Sequence, residues 1–183
     1  MNETIKSIME RYSCRDFSPT PITEEQLDVL VKAALAAPSA MNMQPWHVIA
    51  VTNKQLIEEM DNAAMEGLKA NNQDAYKRMM DRGGTIFYNA PCLIFILKND
   101  TGYATLDCGI ATQNVALAAH ALGLGSVICG MANMPLTGAN GEEFKKRLCF
   151  PQGYSFGMSI CVGTALSGKM PHELDTTKVT YIG

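Results

Sequence analysis

Residues 104–129 read ATLDCGIATQNVALAAHALGLGSVIC, and this stretch decides the fold. From 104 to 122 it is a helix without a polar face: alanine-rich, and apolar on nearly all sides. Its length approaches the roughly 20 residues that cross a bilayer. Asp107, Gln113, Asn114 and His120 interrupt it, so a helix buried in protein is the better reading. Gly123-Leu124-Gly125 ends it at a C-cap, and residues 126–129 form a short apolar strand. A helix of this kind suits a subunit interface as well as a core, and the stretch by itself leaves both open.

Outward from it, helices and strands alternate without a strict βαβ rhythm. Residues 3–10 place Ile5, Ile8 and Met9 at helical spacing. Thr23 and Gln26 form a capping box ahead of a helix whose face is Leu27, Leu30, Val31, Ala34 and Leu35 and which stops before Pro38. Strands are expected at 46–51, at 92–97 after Pro91, and at 156–162. Asn53 caps a helix striped by Leu56, Ile57 and Met60, and 142–148 is a surface helix. Residues 61–85 are expected to be irregular, and a last short strand is expected at 178–182. No G-x-G-x-x-G follows the first strand, which disfavours a Rossmann domain. An α+β sandwich, with a mainly antiparallel sheet under helices, fits better.

Composition narrows the function. At 183 residues one domain over 1–183 is expected, with no linker, repeat or low-complexity tract. The formal net charge is −3 and the basic residues are scattered, so no field attracts nucleic acid. Lys145-Lys146-Arg147 follows Glu142-Glu143 as the solvated end of a helix. Six cysteines lie apart without C-x-x-C pairs, several in apolar runs where Cys acts as a small hydrophobe. With a polar, amphipathic start and no signal peptide, free thiols in a reducing cytoplasm are expected. His47, His120 and His172 lack ligand spacing, so no metal site is expected.

Two polar clusters carry the chemistry. Arg11-Tyr12-Ser13-Cys14-Arg15-Asp16-Phe17 has Arg, Ser and Arg at alternate positions, on one face of an extended segment. Two guanidiniums around a hydroxyl make an anion site. Residues 37–46, APSAMNMQPW, form a stiff loop between a helix and a strand. Pro45 pushes Gln44 out of the helical region. Ser39, Asn42 and Gln44 give the loop a hydroxyl and two amides, which can both donate and accept. That suits a ring edge with alternating C=O and N–H groups. It also suits a loop that bonds only to itself.

Together these clusters resemble the FMN-dependent nitroreductase family, whose pattern is R-x-S-x-R-x-F followed by A-P-S-x-x-N-x-Q-P-W. The stretch from Asp107 through Asn114 to Ser126 resembles that family's central helix and following turn. The resemblance implies a nitroreductase-like α+β fold, an intertwined homodimer with flavin at the interface, and tightly bound FMN. It implies hydride transfer from NADH or NADPH through the flavin to a nitro, quinone or similar acceptor in a ping-pong scheme. Arg11 and Ser13, with Tyr12 between them, would hold the phosphate. Arg15 would lie at the pyrimidine edge and stabilise negative charge on the reduced ring. Pro38, Ser39, Ala40, Asn42 and Gln44 would reach the flavin from the partner subunit. Ile128, Cys129 and Gly130 would offer backbone to the ring, and no sequence neighbour of Cys129 depresses its pKa. Where many members carry a basic pair near the C-terminus, this chain has Lys169 and, as a stand-in, His172. No catalytic side chain beyond Arg15's electrostatic effect is expected. The alternatives are a non-catalytic flavin-binding or regulatory module, motivated by the missing second Arg, and a reductive dehalogenase on the same fold.

Overall fold

The computed structural model describes residues 2–183. Four strands form one antiparallel sheet in the order β1 (Trp46–Val51), β2 (Cys92–Lys98), β4 (Ser155–Gly163), β3 (Gly125–Ile128). β2 is central and buried on both faces, because its alternate side chains enter two different cores. Leu93, Phe95 and Leu97 join a cluster with Leu56, Ile57 and Met60 of α3 (Lys54–Asn71). Cys92, Ile94 and Ile96 join the opposite cluster, with Leu30 and Ala34 of α2 (Glu24–Leu35) and Ala111, Val115 and Ala119 of α5 (Ala104–Ala121). Trp46 belongs to this second core. The result is a helix–sheet–helix stack.

Local chemistry sets the helix starts. Thr23 accepts from the Gln26 backbone at 3.1 Å while the Gln26 side chain accepts from the Thr23 backbone at 2.9 Å. Asn53 accepts from Leu56 at 3.0 Å to open α3. The segment 61–85, expected to be irregular, is mostly helical: α3 runs on to Asn71 and α4 covers Gln73–Met80. Asn72 makes this possible by ending one helix and capping the next, accepting from Ala75 at 3.0 Å. Ala64, Met65, Leu68 and Met79 then carry the apolar face into the core.

The strand expected at 178–182 is also corrected. The region holds a short 3₁₀ turn, Thr176–Lys178, and Tyr181 and Ile182 are fully exposed. A strand needs a neighbouring strand to satisfy its backbone, and within one chain this tail lies against none. α5 is buried along Asp107, Cys108, Ala111, Val115 and Ala119 but leaves Leu106 64 % exposed, beside Tyr103 at 62 %. α1 (Glu3–Glu10) buries no residue and exposes Ile5, Ile8 and Met9. Two short helices, α6 (Asn133–Thr137) and α7 (Gly141–Arg147), complete the layer shared with α3. Arg147 of α7 reaches Glu59 of α3 in an ion pair. Among the described residues no helix is long and apolar enough to cross a membrane.

Candidate functional site

The segment after α1 is extended and lies against the edge strand β3. Ser13 bridges Ser126 in parallel, and the Cys14 N–H donates to the Ser126 carbonyl at 2.9 Å. The approach is close: a side chain at Gly125 would put its Cβ 2.9 Å from the Cys14 sulfur. Extended backbone puts Arg11, Ser13 and Arg15 on one side and Cys14 on the other, in the core.

A second segment returns to the same place. Phe17 bridges Ala165, the Ser18 N–H donates to Thr164 O at 2.8 Å, and the Leu166 N–H donates to Asp16 O at 3.0 Å. The Tyr12 hydroxyl donates to the Ser167 carbonyl at 2.9 Å. This pairing carries residues 169–172 back over the Arg segment. A cleft of about 280 Å³ results, lined by Arg11, Tyr12, Ser13, Arg15, Lys169, Met170, Pro171 and His172. The structure thus brings together Arg11, Arg15, Lys169 and His172, the four basic residues expected around the phosphate or the flavin, with Met170 and Pro171 as further lining. Tyr12 has a holding role: its hydroxyl is engaged by the Ser167 carbonyl, and burial pushes its pKa up.

The cleft is electropositive and has no acid in its lining. Among the described residues Arg11, Arg15 and Lys169 pair with no carboxylate. The Arg11 Nε is buried and lacks any acceptor. Such a donor costs about 1–3 kcal/mol when left unmet. Arg15 extends over Tyr88, its guanidinium carbon 5.9 Å from the ring centroid.

Ile128 ends β3, the strand that the Arg segment lies against, and Cys129 and Gly130 follow it directly. Ile128 and Gly130 are exposed and Cys129 is buried. The Cys129 thiol donates to Ile86 O at 3.5 Å. A hydrogen bond from Cys161, one residue along β4 from Ile160, the register partner of Ile128, holds Cys129 below the ordinary thiol pKa, and Cys161 is raised in turn. The largest cause is a tertiary contact and not a sequence neighbour of Cys129. Its partner lies on another strand, where local sequence gives no sign of it.

The loop with Pro38, Ser39, Ala40, Asn42 and Gln44 lies elsewhere, at the N-terminal end of α5. Met41, Asn42 and Gln44 all have positive φ. Ser39 Oγ accepts from the Gln44 N–H at 2.9 Å, and the Gln44 side chain donates to Asn42 Oδ1 at 3.2 Å. Asp107, 3 % exposed, accepts from the Ala40 N–H at 3.3 Å. The loop is thus held to the start of α5, with Met41 and Met43 exposed, and within one chain it does not line the basic cleft.

Comparison with known proteins gives concordant matches. The Nitroreductase family model matches residues 8–164. A putative NADH dehydrogenase/NAD(P)H nitroreductase of Archaeoglobus fulgidus is 35% identical over 131 residues, 72% of this chain and 69% of that protein. A protein of the same description from Methanothermobacter thermautotrophicus is 31% identical over 134 residues, 70% of this chain; the match spans 61% of that longer relative. The crystal structure of a nitroreductase with bound FMN from Desulfitobacterium hafniense superposes with a TM-score of 0.96 at 45% identity, covering 100% of both chains.

Proposed function

This chain belongs to the nitroreductase family, and on that premise we propose that it is an FMN-dependent oxidoreductase using NADH or NADPH to reduce a nitro, quinone or similar acceptor. The observation that carries the reading is the buried, unpartnered Arg11 Nε in a cleft lined by bases and no acid. A phosphate monoester, with nearly two negative charges and several acceptor oxygens, fits that donor set.

Arg11 and Ser13 hold the phosphate, and Lys169 closes over it on the returning segment. His172 stands at the same wall in place of a second arginine. Arg15 keeps an uncompensated positive charge near the ring, which favours the electron-rich state. Ile128, Cys129 and Gly130 supply backbone beside it. Bound FMN supplies the redox chemistry, a two-electron transfer from nicotinamide to acceptor in ping-pong order. The side chains bind, orient and set the field, and none is required as an acid.

Pro38, Ser39, Ala40, Asn42 and Gln44 complete the site from a second copy. The exposed apolar side chains of α1, of the start of α5 and of the Met41–Met43 loop support such a dimer.

The test is the visible spectrum of purified protein with and without added FMN, then anaerobic titration with NADH and NADPH. Flavin bands that bleach with either nucleotide are expected. A protein that stays colourless and takes up no FMN overturns the reading. Stable FMN bands that neither nucleotide bleaches would instead identify a flavin-binding module.

A further inference from the structure

We infer that Tyr88 is a positioning residue for Arg15, its ring serving as a platform that orients the guanidinium in the cleft without neutralising it. The inference deepens the FMN reading and rests on it.

Arg15 is exposed, long and flexible. Among the described residues it has neither an ion pair nor a hydrogen bond, yet it lies over Tyr88 at 5.9 Å. A carboxylate could fix an arginine as well, but it would cancel the charge that an anionic or electron-rich ligand needs. An aromatic face attracts the cation through its quadrupole and leaves the charge in place.

The backbone shows that this placement is specific. Tyr88 and Asn89 are consecutive residues in the left-handed region, with φ of 56° and 58°. Neither is glycine, and for a bulky aromatic this conformation is rare. Strain of this kind persists only where the surroundings impose it, and it concentrates at functional sites. Here the surroundings are explicit. Asp61 of α3 accepts from the Ile86 N–H at 2.7 Å and from the Phe87 N–H at 3.3 Å. The Thr85 hydroxyl oxygen also accepts from the Phe87 N–H, at 3.1 Å, and the Ala90 N–H closes the turn onto Phe87 O at 3.0 Å. Ile86 and Phe87 are wholly buried. This frame leaves Tyr88 only 9 % exposed and under Arg15. The same frame touches the other wall of the site, because Ile86 O accepts from Cys129.

The experiment compares Tyr88→Leu, Tyr88→Phe and Arg15→Ala by FMN dissociation constant and by flavin midpoint potential. Tyr88→Leu is expected to raise the FMN dissociation constant about three- to fivefold and to move the potential to a more negative value. Tyr88→Phe keeps the ring face and is expected to match the parent in both. In an Arg15→Ala background Tyr88→Leu is expected to add nothing. Should Tyr88→Leu not fold, Tyr88→Met removes the ring at similar volume and is held to the same outcomes. Unchanged affinity and potential in a folded ring-less variant overturns the role. So does a full effect that persists without Arg15, or a Tyr88→Phe variant as impaired as Tyr88→Leu. A parent protein that binds no FMN overturns the functional reading itself, which separates the two failures.

Discussion

Arg11 sets two demands against each other within one residue. Its buried Nε lacks an acceptor in the folded chain, which costs about 1–3 kcal/mol, while the same donor is available to an incoming phosphate oxygen. Arg11→Met is therefore expected to leave the FMN-free protein as stable as the parent or more so, by thermal melting. The same change is expected to weaken FMN binding at least about tenfold, one charge-assisted bond being worth about 1.5–3 kcal/mol. Asp61 supplies a pH-dependent counterpart. Burial raises its carboxyl above the ordinary 3.8, against hydrogen bonds from Thr85, Ile86 and Phe87 that lower it. A raised folded-state pKa means the folded chain holds its proton more tightly. The stability it contributes is fully present below 3.8 and is lost as pH rises through the raised value. Asp61→Asn cannot ionise, so its melting temperature should gain on the parent across that window. A constant difference between the two curves from acid to neutral pH would count against this account.

At the scale of elements, the sheet packs tightly against α5 at Gly157. Ile96 pairs with Met158 and Leu97 with Phe156, so Gly157 is the extra residue of a bulge. A Cβ there would lie 2.6 Å from Ile96 O and 3.0 Å from the Cys108 sulfur of α5. Gly157→Ala is expected to cost about 1–3 kcal/mol, read as a lower denaturation midpoint at unchanged slope. The sequence showed that residues 156–162 form a strand, because apolar residues run through it, but not the bulge, which depends on the register against a distant partner. The helix caps and Pro boundaries were legible for the same reason the strands were: their causes lie within a few residues. The helices at 61–80 were missed because Asn72 both stops and restarts the backbone. Polar Asn71-Asn72 and Gly83-Gly84 in sequence look like a loop.

Across the whole molecule, the basic cleft was legible residue by residue, yet the reason it assembles was not. Lys169 and His172 arrive through the pairing of 164–166 with 16–18, a contact that no local pattern announces. Tyr88 and Asp61 left no trace in sequence for the same reason. The second-copy reading is tested at this scale too. Leu106, 64 % exposed on the open face that α5 shows beside Thr105 and Gly109, is expected to sit in the dimer contact. Leu106→Glu should shift sedimentation toward the monomer and weaken FMN binding, with the monomer's circular dichroism unchanged. A variant that remains dimeric would move the contact elsewhere.

The tie between Tyr12 and Ser167 joins positions 155 residues apart, and this has a consequence in time. During synthesis the first arginine of the cleft leaves the ribosome early, at a rate of about 5–20 residues per second. The lysine that faces it follows roughly ten seconds or more later. The anion site is complete only once residues 164–172 have paired with the arginine segment, and fragments lacking them are expected to emerge without flavin however well their sheet has formed.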